Sequence, residues 1–218
     1  MPSSSRSLAL IAAALLLTAP SFAFDTPLSD QAVREAYFLG QRRDEKMALL
    51  FSRYTKSLPR PEAGPHIYSV TFLTPFALAV QYSSRQSNYS AQQAEKDHHP
   101  EEEIVRIEVG IALTQTYGPF LTKPTGSRSG APNGYQLRPS NFWKTFKYRI
   151  FDGEEEITTD NISGEPQFLC SESGCTLTGA IVRLQFPATA FTSDSAAVEV
   201  TPPEGDPVTI DFDLTALR

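Results

Sequence analysis

Apolar residues recur at helical spacing in the first part of the chain. Residues 28–58 contain no proline, and their apolar positions lie three or four apart on both sides of a polar gap. Ser29 or Asp30 is suited to the N-cap of a first helix, Gly40 weakens its middle, and Asp44 is suited to cap a second segment. The pattern predicts two short helices or one kinked helix.

A proline-rich boundary at 59–65 is followed by a strand, because polar and apolar residues alternate over 67–73. Thr74 and Pro75 then read as an N-cap and a first helical residue, which favours a helix to about Arg85. The apolar residues of this segment also alternate, which favours a continued strand. The sequence leaves helix and strand open over residues 75–86.

Ser90 begins a capping-box pattern that predicts another short helix, and alternation returns in a strand at 104–113. The segment from Gly118 to Asn141 contains four glycines and four prolines with almost no apolar periodicity. It is predicted to be a long surface loop, and loops of this length tend to be functional or mobile.

The rest of the chain shows the pattern of successive hairpins. One turns at Asp152-Gly153, one encloses the two cysteines, and one turns at 202–205 between two alternating strands. The predicted class is α+β, with N-terminal helices packed on a C-terminal antiparallel β-sheet or small β-sandwich. We divide the chain into a signal peptide (1–23), an N-terminal helical segment (24–60) and a β-rich α+β part (61–218), with 24–218 forming one folded unit.

The first 23 residues have the order of a secretory signal peptide. Arg6 precedes an apolar run from Leu8 to Leu17, and the small residues Ser21 and Ala23 fit the positions before a peptidase cleavage site. A ten-residue apolar run is about half the roughly 20 residues needed to span a bilayer as a helix. The sequence predicts cleavage after Ala23 and a secreted or periplasmic product with no integral membrane segment.

Charge and motifs narrow the possible functions. The mature chain would carry 18 basic and 25 acidic side chains, so its net charge near −7 argues against nucleic acid as a partner. No phosphate-binding glycine pattern, dinucleotide fingerprint or G-x-S-x-G elbow is present, and we predict no cofactor. A hydrolase with carboxylates contributed by distant strands leaves no local signature, so it stays open.

Two local features suggest specific chemistry. Cys170 and Cys175 enclose four residues, which suits a structural disulfide at a hairpin tip in an oxidising compartment. His98 and His99 lie in the densest cluster of potential metal ligands, although consecutive histidines diverge on both helices and strands. A solvated loop is the simpler interpretation of that cluster.

The long loop and its C-terminal flank offer a recognition surface, because arginine and aromatic side chains dominate binding energy at interfaces. Its proposed binding residues are Arg128, Tyr135, Arg138 and Trp143. Alternatively, Trp143 anchors the next strand in the core.

The first functional hypothesis is therefore a non-catalytic, extracytoplasmic binding module with an unidentified protein or glycan partner. An extracytoplasmic hydrolase and a metal-binding protein using His98 and His99 are the alternatives.

Overall fold

The computed structural model describes residues 23–121, 136–172 and 174–218. Residues 1–22 of the predicted signal peptide (1–23) and the predicted binding residues Arg128 and Tyr135 lie outside these ranges. No helix within the described ranges is both long and apolar enough to cross a membrane.

Four α-helices occupy the N-terminal half of the described chain: α1 (Asp30–Arg42), α2 (Glu45–Tyr54), α3 (Pro75–Arg85) and α4 (Ala91–Asp97). Each begins at a side chain that accepts a hydrogen bond from the first turn, as the sequence indicated. These N-caps are Ser29, Asp44, Thr74 and Ser90. The segment left open between helix and strand is helical because the Thr74 cap and Pro75 fix its first turn.

Gly40 has a different role from the one that helix propensity suggests. A Cβ atom at this position would lie 2.4 Å from the Val80 carbonyl oxygen and 2.9 Å from the Ser83 Cβ. The glycine therefore lets α1 approach α3 closely, and α1 continues through it to Arg42. Its cost in helix propensity is offset by helix packing.

Eleven strands appear in the described ranges, and all their pairings are antiparallel. They are β1 (Thr55–Ser57), β2 (His66–Leu73), β3 (Ile104–Ala112), β4 (Phe120–Leu121), β5 (Gln136–Leu137), β6 (Lys147–Asp152), β7 (Glu155–Ile157), β8 (Ile162–Ser171), β9 (Gly174–Pro187), β10 (Ser195–Thr201) and β11 (Val208–Asp213).

The strands form a five-stranded sheet in the order β1-β2-β3-β9-β8, a four-stranded sheet in the order β11-β10-β6-β7, and the small pair β4-β5. The predicted α+β class is therefore confirmed. Strand β1 was not predicted: we expected the helical segment to continue to residue 58, but α2 ends at Tyr54 and the next three residues pair with β2.

The two larger sheets pack face to face around one apolar core. On β3 every second residue from Val105 to Ile111 is fully buried, and β9 and β10 repeat this alternation. Phe72 of β2 lies between the sheets, with its ring centroid 5.0 Å from that of Phe191 and 5.5 Å from that of Phe212 in β11. A second, smaller core joins α1, α3 and α4.

The disulfide between Cys170 and Cys175 is formed and clips the end of the β8-β9 hairpin. The two cysteines face each other across the strand pair, next to the tip at Ser171 and Gly174. Gly174 has a positive φ of 127°, a conformation that favours glycine in such a reversal. The bridge is local, as its spacing predicted.

Candidate functional site

The region around Arg138 is the described part of the predicted recognition loop. The Arg138 guanidinium carbon lies 3.5 Å from the centroid of the Tyr117 ring, and its Nε donates to the Gly118 carbonyl oxygen at 2.8 Å. Tyr117 is buried, and this burial raises the pKa of its hydroxyl, an effect that the nearby charge of Arg138 partly opposes. Stacking and hydrogen bonding therefore hold a cation in one orientation.

This cation borders an open cleft of about 760 Å³. The cleft runs along residues 113–116 and 118–121, and Arg60 and Glu204 complete its lining. It combines two cations, one carboxylate and apolar side chains, a mixture suited to a polar partner with some apolar surface. We refer to it below as the loop cleft.

Trp143 is not among the residues that line the loop cleft. Its side chain is only 8% exposed, and a Cβ on Gly164 of β8 would lie 2.2 Å from the indole ring. The ring thus lies directly on the glycine backbone of a strand. This geometry matches the alternative in which Trp143 anchors the segment before β6, and a contribution of Trp143 to binding stays a prediction.

His98 and His99 have different neighbours. The Nε2 atom of His98 lies 3.0 Å from Glu103 Oε1 without meeting hydrogen-bond geometry, whereas His99 Nδ1 is 3.8 Å from Glu101. Across the described ranges, no three side chains of the metal-ligating types gather closely enough to hold an ion. A metal site at the two histidines stays a prediction without geometric support.

Glu103, beside His98, ties the N-terminal segment to the body of the protein. Its carboxylate accepts hydrogen bonds of 2.6 Å from the Thr26 hydroxyl and from the Leu28 N–H. The side chain is 5% exposed, so this buried charge is compensated by well-placed donors. Its contacts therefore have a structural role, because they hold the N-terminal segment against the start of β3.

A second cleft, of about 510 Å³, lies between α3, α4 and the start of β3, and we call it the helix cleft. Its lining includes Tyr82, Tyr89 and Arg106, and the two tyrosine rings meet edge to face at 5.8 Å. Burial, reinforced by a hydrogen bond to Asp97, raises the pKa of Tyr89 to about 12. Tyr89 is therefore a neutral donor at ordinary pH.

The carboxylates that line the helix cleft are Asp97, Glu102 and Glu103, all from one short segment. The helix cleft therefore gives no geometric support to a hydrolase with acids contributed by separate strands, and that alternative stays a prediction. Two of the three carboxylates already accept hydrogen bonds, Asp97 from Tyr89 and Gln93, and Glu103 from the N-terminal segment.

Sequence reasoning did not single out Arg106 or Gln81. Arg106 occupies an outward position of an alternating strand, where arginine is common, and its place in a cleft depends on how α3 packs on the sheet. No protein-family model and no curated protein sequence matches this chain.

Proposed function

We propose that the chain is an exported, non-catalytic binding module that uses the loop cleft to hold a protein or glycan partner outside the cytoplasm. The observation that carries this proposal is the fixed Arg138 guanidinium, stacked on Tyr117 at the border of a cleft of about 760 Å³. A side chain that is already ordered loses little conformational entropy on binding, so more of its interaction energy appears as affinity.

The extracytoplasmic setting is supported by the disulfide, which persists in oxidising compartments. Export through the signal peptide predicts a mature protein that begins at Phe24. N-terminal sequencing of protein recovered from its native host should read Phe-Asp-Thr. Recovery of the full chain beginning at Met1 from the cytosol would contradict the proposed export.

The binding role predicts that Arg138→Ala reduces recovery of a partner at least about tenfold, the loss typical of a residue important at an interface. The measurement is affinity capture from the extracytoplasmic fraction of the native host after reversible crosslinking. Thermal melting of each variant would show that the fold is intact.

Arg149→Ala is the matched control. Arg149 also covers an aromatic ring, that of Phe151 at 4.8 Å. It lies on β6 in the four-stranded sheet, however, and pairs with Glu156. A partner that is lost with Arg138→Ala and kept with Arg149→Ala would support the proposal. Equal recovery with both variants and the wild type would refute a role for the loop cleft.

A further inference from the structure

Arg106 carries a charge that no described residue neutralises by an ion pair. The closest carboxylate on its own strand, Glu108, is 3.2 Å from Arg183, and Arg183 also pairs with Glu165 at 2.9 Å. The Nε of Arg106 is buried and lacks a hydrogen-bond acceptor in the described part of the chain. Its Nη1 donates to Gln81 Oε1 at 3.5 Å, which is a long and weak contact.

The surroundings of Arg106 disfavour the positive charge of its own guanidinium. Burial lowers the pKa of its guanidinium; Glu108 opposes this, while the charges of Arg183 and Arg85 lower it further. Arginine nevertheless stays protonated in proteins, so the cost persists as an uncompensated charge. Arg85 also lines the helix cleft and forms no ion pair within the described ranges. An anion that entered the cleft would relieve this cost.

The walls of the helix cleft limit which anion fits. Leu78, Ala79 and the tyrosine pair Tyr82 and Tyr89 offer an apolar and aromatic surface next to the cations. The three carboxylates from Asp97 to Glu103 line the same cleft and repel any anion, a dianion about twice as strongly as a monoanion. One negative charge on an apolar body is therefore favoured over a dianion such as a phosphate monoester.

We propose that the helix cleft binds a small organic monocarboxylate, whose carboxylate pairs with Arg106 and whose apolar body lies against Tyr82 and Tyr89. Guanidinium and carboxylate match as a planar pair with two parallel hydrogen bonds. The cleft of about 510 Å³ is large enough for a ligand the size of a phenylpropanoate. This site is separate from the loop cleft, so the proposed carboxylate site does not depend on the binding role proposed for the loop cleft.

The test uses 3-phenylpropanoate as the probe and the Arg106 Nε–H as the reporter in two-dimensional ¹H–¹⁵N NMR of the full mature protein. We expect this resonance to shift saturably on titration to about 10 mM, a range that covers weak small-ligand binding. The neutral 3-phenylpropan-1-ol and the dianion 2-phenylethyl phosphate should shift it far less. No shift with the carboxylate, or equal shifts with all three probes, would overturn the proposal.

Two variants separate a ligand site from a structural role. Arg106→Gln should weaken 3-phenylpropanoate binding about 10- to 100-fold, the range for loss of one charge-assisted pair, while Arg149→Gln on the other sheet should bind as the wild type does. Because Arg106 is an uncompensated charge, Arg106→Gln should melt at the same temperature as the wild type or higher. Unchanged binding by Arg106→Gln, or a clear fall in its melting temperature, would overturn the proposal.

Discussion

Replacing Trp143 by alanine should lower the free energy of unfolding by about 3–5 kcal/mol, the usual cost of truncating a buried large aromatic residue. The indole ring is buried against the Gly164 backbone, and no side chain at that glycine could fill the space that truncation leaves. Equilibrium denaturation in urea would measure the loss as a lower midpoint at a similar slope.

The controls for this prediction separate ring burial from general sensitivity of the region. Trp143→Phe keeps an aromatic ring and should cost clearly less than the alanine variant. Lys147→Ala changes an exposed residue at the start of β6 and should stay within about 0.5 kcal/mol of the wild type. A cost for Trp143→Ala as small as that for Lys147→Ala would contradict the burial described here. Because truncation weakens the fold, binding is better tested at Arg138 than at Trp143.

Phe72→Ala should destabilise the protein by a similar amount, about 3–5 kcal/mol, because it opens a cavity where the two sheets meet. Phe72 is fully buried between Phe191 and Phe212, whose rings it contacts edge to face and at a tilt. Aromatic pairs of this kind add stabilisation beyond the buried area. Calorimetric melting of the variant would show a lower midpoint.

Phe38→Ala is the matched control for Phe72→Ala, since it removes the same side chain from a position on α1 that is 60% exposed. Its cost should stay within about 0.5 kcal/mol of zero. If both phenylalanine variants lost the same stability, the face-to-face packing of the two sheets would be wrong.

Local sequence signals predicted most of the fold because they act within a few residues. The four N-caps, the Asp152-Gly153 turn and the disulfide-clipped hairpin each depend on neighbours along the chain. The helix after Thr74 was undecided because its apolar residues satisfy both periods, and only the cap and Pro75 distinguish them. Strand β1 is three residues long, too short to display a period of its own.

The clefts were harder to predict because they depend on contacts between distant segments. Arg106 and Glu108 are both outward-facing polar residues of β3, yet Glu108 has a partner on β9 while Arg106 lies under α3 without one. The sequence left Trp143 open between a binding residue and a core anchor, because its glycine neighbour lies 21 positions further along the chain and no local pattern reveals that contact. Composition identified suitable residue types, whereas their contacts depend on tertiary packing.

The position of β3 within its sheet has a consequence for how the nascent chain folds. It pairs on one side with β2, which lies earlier in the chain beyond α3 and α4, and on the other with β9, which starts only at Gly174. Until that late strand has emerged from the ribosome or a translocation channel, β3 presents nine residues of open backbone with a strongly apolar face. Such an edge is prone to aggregation and proteolysis, so a chaperone that shields it would protect the nascent chain until β9 emerges.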